Sequence, residues 1–343
     1  MKLKLKPLVT AISFGLINTN LLMAEEDEIL RGVTLSGSLQ VEAGYNRDYD
    51  DTNTSDIVVD ELTLGIEAQV HKWAKAQILF LYEEGETPLE IDEAFITLGD
   101  LETLPIYLSM GQFYVPFGNF ETHMISDPLT LELAEIREKA IQVGFETEGF
   151  YGSIYGFNGS TQEDSNDTID HYGTHLGFAQ EHERFSYDIG VGYLSDLGDT
   201  FVVYDALEAV DDYDYVGGLG TYLTLNIGPV SLIGEYITAL DPFDAAHLAF
   251  NEQGAEPKAW NAEAGLTFDL AGYETTLAVG YQATEEALAL ELPETRILGA
   301  LSLGIDDHTS VSLEYASDED YDENDGGTGK DAETVTLQLA VEF

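Results

Sequence analysis

From Val33 onward the chain alternates apolar and polar residues with a period of two, the signature of strands with one greasy and one wet face. In the stretch from Val33 to Tyr45 every second residue is apolar except Gly37. Leu62, Leu64, Ile66, Ala68 and Val70 alternate with Glu61, Thr63, Gly65, Glu67 and Gln69. Trp260 to Phe268 and Val335 to Phe343 repeat the pattern, and no helical window of similar quality competes. Strands are placed with starts near residues 33, 57, 73, 90, 105, 140, 150, 171, 185, 215, 229, 259, 273, 296, 309 and 333. That is about sixteen strands of the ~9–11 residues that cross a bilayer, each with one connection.

The connections fall into two populations that alternate along the chain. Short turns are read at His71-Lys72, Thr147 to Gly149, Glu181 to Arg184, Gly228-Pro229, Leu270 to Gly272 and Asp306 to His308. Long polar loops span roughly 46–57, 83–89, 113–139, 158–170, 195–214, 240–258, 283–295 and 317–332. Short periplasmic turns alternating with long extracellular loops are the habit of outer-membrane barrels. The pattern therefore predicts an all-β fold: a transmembrane, antiparallel, up-and-down β-barrel over 33–343.

Charge decides which face looks outward. Glu42, Glu61, Glu67, Glu93, Glu146, Asp188, Glu235, Glu263, Glu274 and Glu314 all fall on the polar parity of their strands. A charge facing lipid costs up to a few kcal/mol, whereas one facing a wet lumen costs little. These ten are expected to be lumen acids, with Gly190, Gly192, Gly265 and Gly280 beside them on the inner parity. Tyr45, Tyr187, Tyr193, Trp260, Phe268, Tyr273 and Tyr281 sit on the apolar parity near strand ends, where an interfacial girdle belongs. A barrel this wide leaves an aqueous channel.

Composition sharpens the picture. The 343 residues carry 13 Lys+Arg against 65 Asp+Glu, a formal charge of −52, and no cysteine. The missing cysteines exclude disulfides, thiol catalysis and thiolate metal sites. The scarcity of cations argues against a nucleic-acid partner. Mean hydropathy of −0.09 excludes a multi-helix membrane protein but not a barrel. Lys2, Lys4 and Lys6 precede an apolar Leu8 to Leu22, and Ala24 is followed by Glu25-Glu26-Asp27-Glu28. This reads as a signal peptide over 1–24, cleaved near Ala24, with a short periplasmic segment over 25–32. The expected destination is the outer membrane of a Gram-negative bacterium, among lipid and lipopolysaccharide.

The loop 113–139 is the longest, and Leu129, Leu133 and Ile136 follow Asp127-Pro128 at helical spacing. It is expected to form a constriction, with Glu121, His123, Asp127, Glu132, Glu135, Arg137 and Lys139 as candidates for setting size and ionic preference. An external cap, or a contact with a neighbouring subunit, is the structural alternative. Phe343 closes an apolar-parity strand and resembles the C-terminal aromatic signal read by barrel-assembly machinery.

Gly111-Gln-Phe-Tyr-Val-Pro-Phe-Gly-Asn-Phe-Glu-Thr-His-Met-Ile-Ser-Asp-Pro-Leu-Thr130 and Phe150-Tyr-Gly-Ser-Ile-Tyr-Gly-Phe-Asn-Gly159 resemble the LbtU-type siderophore porins. The close resemblance covers roughly 105–159, and the strand rhythm extends it loosely over 33–343. The shorter Gly-Gln-Phe-x-x-Pro-Phe-Gly also looks like phosphate-selective and related porins. The resemblance implies an outer-membrane barrel importing ferric siderophore without a plug. The family pattern also carries an N-terminal periplasmic coiled coil, whereas about eight residues here separate the expected cleavage site from the first strand. A phosphate channel would want an Arg/Lys ladder, so the acids disfavour that branch.

Acid-rich loops and lumen point to a cation-leaning channel, or, for the loops, to divalent ions bridging lipopolysaccharide. Asp318 to Gly327 invites a calcium reading, but counting from Asp320 gives Asp325 and Asp331 where a calcium loop of EF-hand type needs Gly and Glu. Weak divalent binding by loops is the only cofactor expectation. His171 and His175 would stand ~13 Å apart on a strand, too far to share one ion, so no metal site is assigned. Neither His-Glu-x-x-His nor Gly-x-Ser-x-Gly occurs, and no enzyme is expected. The sequence thus predicts passive passage of small hydrophilic solutes. A general diffusion porin and an acidic surface adhesin or structural barrel are the alternatives. Porins of this size are often trimers, so a homotrimer is one assembly the sequence admits.

Overall fold

The computed structural model describes residues 32–161, 168–207 and 214–343. The expected signal peptide, its cleavage site and all but the end of the short segment 25–32 lie outside the described residues. The first half of the chain forms β1 (Val33–Arg47), β2 (Asn53–His71), β3 (Ala74–Tyr82), β4 (Glu90–Gly99), β5 (Ile106–Tyr114), β6 (Arg137–Thr147), β7 (Phe150–Phe157), β8 (His171–Glu181) and β9 (Phe185–Leu194). The second half forms β10 (Gly218–Ile227), β11 (Val230–Ala239), β12 (Ala249–Phe250), β13 (Gln253–Gly254), β14 (Lys258–Leu270), β15 (Tyr273–Glu285), β16 (Thr295–Asp306), β17 (Thr309–Glu319) and β18 (Asp331–Glu342). Two short helices, α1 (Leu129–Ala134) and α2 (Phe201–Ala206), sit in loops. No helix among the described residues is long and apolar enough to cross a membrane.

Sixteen of these strands close into one antiparallel barrel, in which β1 pairs with both β2 and β18; β12 and β13 form a separate two-residue hairpin. Closure satisfies every strand edge, the condition for placing a sheet in hydrocarbon. The strands begin within a few residues of the expected positions. The largest shifts are at β2, which starts at Asn53, and at β6 and β10. Polar Asn53 to Ser55 still pair with Tyr45 to Arg47, so the first hairpin extends past its apolar part. The tight turns use left-handed backbone: Glu148-Gly149 and Ala271-Gly272 have φ of 51°, 87°, 57° and 94°. Two successive positive φ values match the twist of the flanking strands.

The register settles the faces, because directly opposed residues share one. Gln40 faces Glu61, Glu67 faces Gln77, Leu79 faces Glu93, Tyr222 faces Glu235, Glu263 faces Gly280, and Ala300 faces Glu314. All ten parity-assigned acids fall on this inner face. Outside, Met110, Ile154, Val279 and Leu337 are exposed. Aromatic pairs mark the two rims: Trp260 with Tyr281 and Tyr172 with Tyr193 at the loop end, Phe150 with Phe178 and Phe185 with Tyr187 at the turn end.

Gly37, the exception in the first alternation, has a physical reason. Phe343 exchanges backbone hydrogen bonds with it at 2.9 and 3.0 Å, and a Cβ on Gly37 would meet the Phe343 ring at 2.6 Å and the Thr63 carbonyl at 2.7 Å. The terminal ring lies across the gap this glycine leaves. Gly37→Ala should therefore lower barrel stability by about 1–3 kcal/mol, an overpacking cost. Heat-dependent mobility of the folded barrel in detergent gels reads this out; an unchanged transition would refute it.

Candidate pore constriction

The connection between β5 and β6, residues 115–136 (L3), folds into the barrel rather than over it. It passes Gly192 and Gly220, where an added Cβ would stand 2.0 and 2.8 Å from the Phe117 carbonyl oxygen. Farther along, His123 and Met124 lie against Gly265 and Gly280. Inner-face glycines thus clear a track for the loop along the wall from β9 to β15.

Three wall carboxylates hold it on that track. Glu235 on β11 accepts from the Asn119 amide at 2.7 Å, the Phe120 amide at 3.2 Å and the Thr130 hydroxyl at 2.8 Å. Glu263 on β14 accepts from the Thr122 hydroxyl at 2.7 Å and the His123 amide at 2.8 Å. Glu314 on β17 accepts from the amides of Ile125 and Ser126 and from the Ser126 hydroxyl. On β15, Gln282 accepts from the Leu129 amide at 3.1 Å where α1 begins. Irregular backbone inside a barrel leaves amides unpaired, and ionised acceptors are the strong way to satisfy them. These three acids are 6%, 4% and 2% exposed, so they anchor the loop instead of facing pore water. Glu93, 5% exposed, likewise accepts from the Tyr114 amide. For these four the parity is as expected but the pore-lining role is corrected.

The return of L3 carries its apolar stripe. Leu129, Leu133 and Ile136 are at most 2% exposed and pack with Phe117, Phe157, Leu197, Val203, Ile237, Leu248 and Leu290. This core lies inside the barrel, built from L3 and from the loops 195–217 (L5), 240–257 (L6) and 286–294 (L7). It thickens one side of the wall and leaves β1 and β2 lined mainly by polar side chains.

The remaining candidates separate by neighbour. Glu121 accepts from the Thr224 hydroxyl at 2.6 Å, and the His123 ring meets the Ser231 hydroxyl at 2.6 Å, its pKa lowered by burial. Arg137 pairs with Glu90 at 2.9 Å and with Asp92, and its guanidinium stands over the Phe201 ring. Lys139 does not belong to the constriction. Because β6 begins at Arg137, Lys139 shares the outer face with Ile141 and Val143.

Asp127 and Glu132 are exposed to the lumen, and Glu135 is half-buried. Enclosure in the barrel pushes the Asp127 carboxyl up to about 7, reinforced by Glu132, Asp60, Glu61 and Glu83. Glu132 is raised by the same enclosure, against the pull of Arg296. Glu135 is pushed up to about 8, first by burial and then by Asp127 and Glu132. Across from L3, Glu61 accepts from Ser38 and Gln40, and Glu42 from Gln338. Acid therefore faces acid across the lumen.

The sequence reading missed Arg296. It makes a two-pronged pair with Asp318 at 2.8 and 3.0 Å and reaches the Asp127 carbonyl at 3.3 Å. With Glu132, Tyr49 and Asp318 it borders a cavity of about 390 Å³ toward the loop end. Asp318 and Asp320 of the suspected calcium loop are engaged elsewhere, Asp318 with Arg296 and Asp320 with the Thr328 amide and hydroxyl.

No family model matches the chain. It is similar to the UPF0422 protein of Coxiella burnetii, 31% identical over 312 residues, which are 87% of this chain and 66% of that one. The UPF0422 protein lpg2959 of Legionella pneumophila is 29% identical over 363 residues, covering 91% of this chain and 66% of its own. The UPF0422 proteins are homologues. The chain spans just under two thirds of the length of these relatives. Among solved structures, Salmonella typhi OmpF superposes with TM-score 0.63 at 13% identity, over 91% of this chain and 97% of OmpF. Pseudomonas putida OprB gives 0.62 at 12%, over 92% and 95%. The anion-selective porin from Comamonas acidovorans gives 0.60 at 14%, over 91% and 99%. These likenesses show a porin fold. That an anion-selective porin shares it means the fold alone does not set charge preference, which must come from the side chains.

Proposed function

We propose that the chain is an outer-membrane channel for passive passage of small hydrophilic solutes, with an eyelet between L3 and the β1–β3 wall that favours cations. The observation that carries this is the acid-to-acid facing. On the loop, Asp127 lies beside Glu132 and within electrostatic reach of Asp60, Glu61 and Glu83 on the other side. Rings of one charge sign concentrate counter-ions and repel co-ions in a narrow passage. Arg296, bound to Asp318, offsets part of this field without reversing it.

Reversal potentials in planar bilayers under a KCl gradient test the proposal. The expected sign is that of potassium preference; chloride preference, or no conductance, would overturn it.

The substrate class of siderophore porins is supported by the resemblance over 105–159. An eyelet of this charge admits neutral or cationic ferric siderophores more readily than anionic ones. Uptake of labelled ferric siderophores by an iron-starved deletion strain tests that finer reading, and unchanged uptake would count against it.

A further inference from the structure

At the loop end of the barrel, away from the eyelet, four polar side chains converge. His171 opens β8, Asp196 and Asp199 lie at the start of L5, and Thr161 comes from the loop after β7. The side chains of His171, Asp196 and Asp199 are 0% exposed. One donor atom from each lies within 4.8 Å of the others. His171 Nε2 stands 3.3 Å from Asp199 Oδ2 and 3.7 Å from Asp196 Oδ2. Among the described residues, neither Nε2 nor Asp199 Oδ2 has a partner in hydrogen-bond geometry.

Charge makes this arrangement costly as it stands. The Gly198 and Val216 amides donate to Asp196 Oδ1 and the Thr161 amide to Asp199 Oδ1, while the Thr161 hydroxyl, with one proton to give, reaches both carboxylates at 2.5 and 2.9 Å. Two carboxylates sealed from water need a compensating positive charge. A shared proton would sit on a line between Nε2 and Asp199 Oδ2, and these two atoms are not aligned for one. A cation would sit at the common focus of the three atoms. Donor atoms ~2.0–2.2 Å from a tetrahedral zinc stand ~3.3–3.6 Å from one another; the two nitrogen-to-oxygen distances here are 3.3 and 3.7 Å, close to that spacing before any ion draws them in.

We propose that His171, Asp196 and Asp199 form a divalent transition-metal site that ties the start of β8 to L5. Imidazole among the donors favours zinc-like cations over calcium or magnesium. A metal on Nε2 requires the ring proton on Nδ1. Asp170 Oδ1, 3.3 Å from Nδ1, is placed to receive it, the outer carboxylate that metal-bound histidines commonly have. The Gly159 amide, which donates to Nδ1 at 3.1 Å, gives up that bond on loading.

Gly159 also explains the end of the motif that runs from Phe150. A Cβ there would fall 2.2 Å from Asp199 Oδ2 and 2.6 Å from Nδ1, so the cluster can form only around a glycine. Beyond Asp199 the chain enters α2, whose Phe201 amide donates to the Glu135 carbonyl at 3.0 Å. The metal tie is thus one residue run away from L3.

The test uses the full chain, folded in detergent, stripped with chelator and then loaded with Zn²⁺ or Co²⁺. A large excess of Mg²⁺ occupies oxygen-only sites on the acidic loops. The expected result is one equivalent of Zn²⁺ retained per chain, and a visible Co²⁺ spectrum of tetrahedral intensity. Asp199→Asn, which keeps the shape, and His171→Ala should each abolish both signals, while Asp320→Asn should leave them intact. Wild-type protein that retains no Zn²⁺ against Mg²⁺ overturns the proposal without any variant. Retention unchanged in folded Asp199→Asn overturns it as well.

Discussion

Replacing Glu263 and Glu314 together with alanine should raise the single-channel conductance and its noise while leaving the thermal stability of the barrel nearly unchanged. The two carboxylates receive the Thr122 hydroxyl, the amides of His123, Ile125 and Ser126, and the Ser126 hydroxyl. Unpaired, these donors cost the seated loop about 5 kcal/mol or more at roughly 1 kcal/mol each. The strand ladders of β14 and β17 make no use of these side chains, so the barrel has no reason to open with the loop. Glu146→Ala and Glu274→Ala remove acids of the same parity near the turn end and should leave conductance as it was. A closed or unaltered conductance in the double variant would mean that L3 does not set the passage.

The second large effect is on selectivity. A unit charge ~7 Å from a permeating ion in water is worth about 0.6 kcal/mol, a factor of about 2.7 in preference. Each charge attracts potassium and repels chloride, so Asp127→Asn with Glu132→Gln should reduce the potassium-to-chloride permeability ratio by up to about fiftyfold. Acid should do part of the same work on the unaltered protein. Enclosure holds the Asp127 carboxyl near 7, so it is charged at pH 8 and neutral at pH 5.5. Cation preference should fall as pH drops through 7, and Asp127→Asn should shrink that step, leaving the part that Glu132 and Glu135 contribute. Reversal potentials at the two pH values measure both effects. A ratio that rises in acid would remove Asp127 from the eyelet.

The barrel was readable because its driving pattern is local. A period of two, with turns and loops alternating in length, specifies strand number and inner face without knowledge of any partner strand. The helix in L3 was readable for the same reason, from the spacing of Leu129, Leu133 and Ile136. What parity cannot convey is what stands in front of a side chain. Glu42 and Glu263 occupy equivalent inner positions, yet one faces the lumen side left open by L3 and the other is covered by it. Inner-face glycines such as Gly192 and Gly265 were the available sign of a close neighbour, and read that way they trace the loop's track. Lys139 was misplaced by the start of β6, since a shift of a few residues decides which side of a strand is counted as loop. The His171 cluster was invisible for a different reason. Its members come from the start of β8 and from L5, whereas histidine spacing was read along one strand.

The anchors of L3 have a consequence for how the molecule is made. The loop lies between the fifth and sixth strands, but its acceptors lie 105 to 189 residues later in the chain. Contacts at such separations are among the last that a chain can form. The loop has no wall carboxylate to bind until β11 is in place, and its last anchor, Glu314, waits for β17, the next-to-last strand of the barrel. A half-assembled sheet therefore carries its future eyelet as an unbound segment, and the seating of that segment reports that the cylinder has closed.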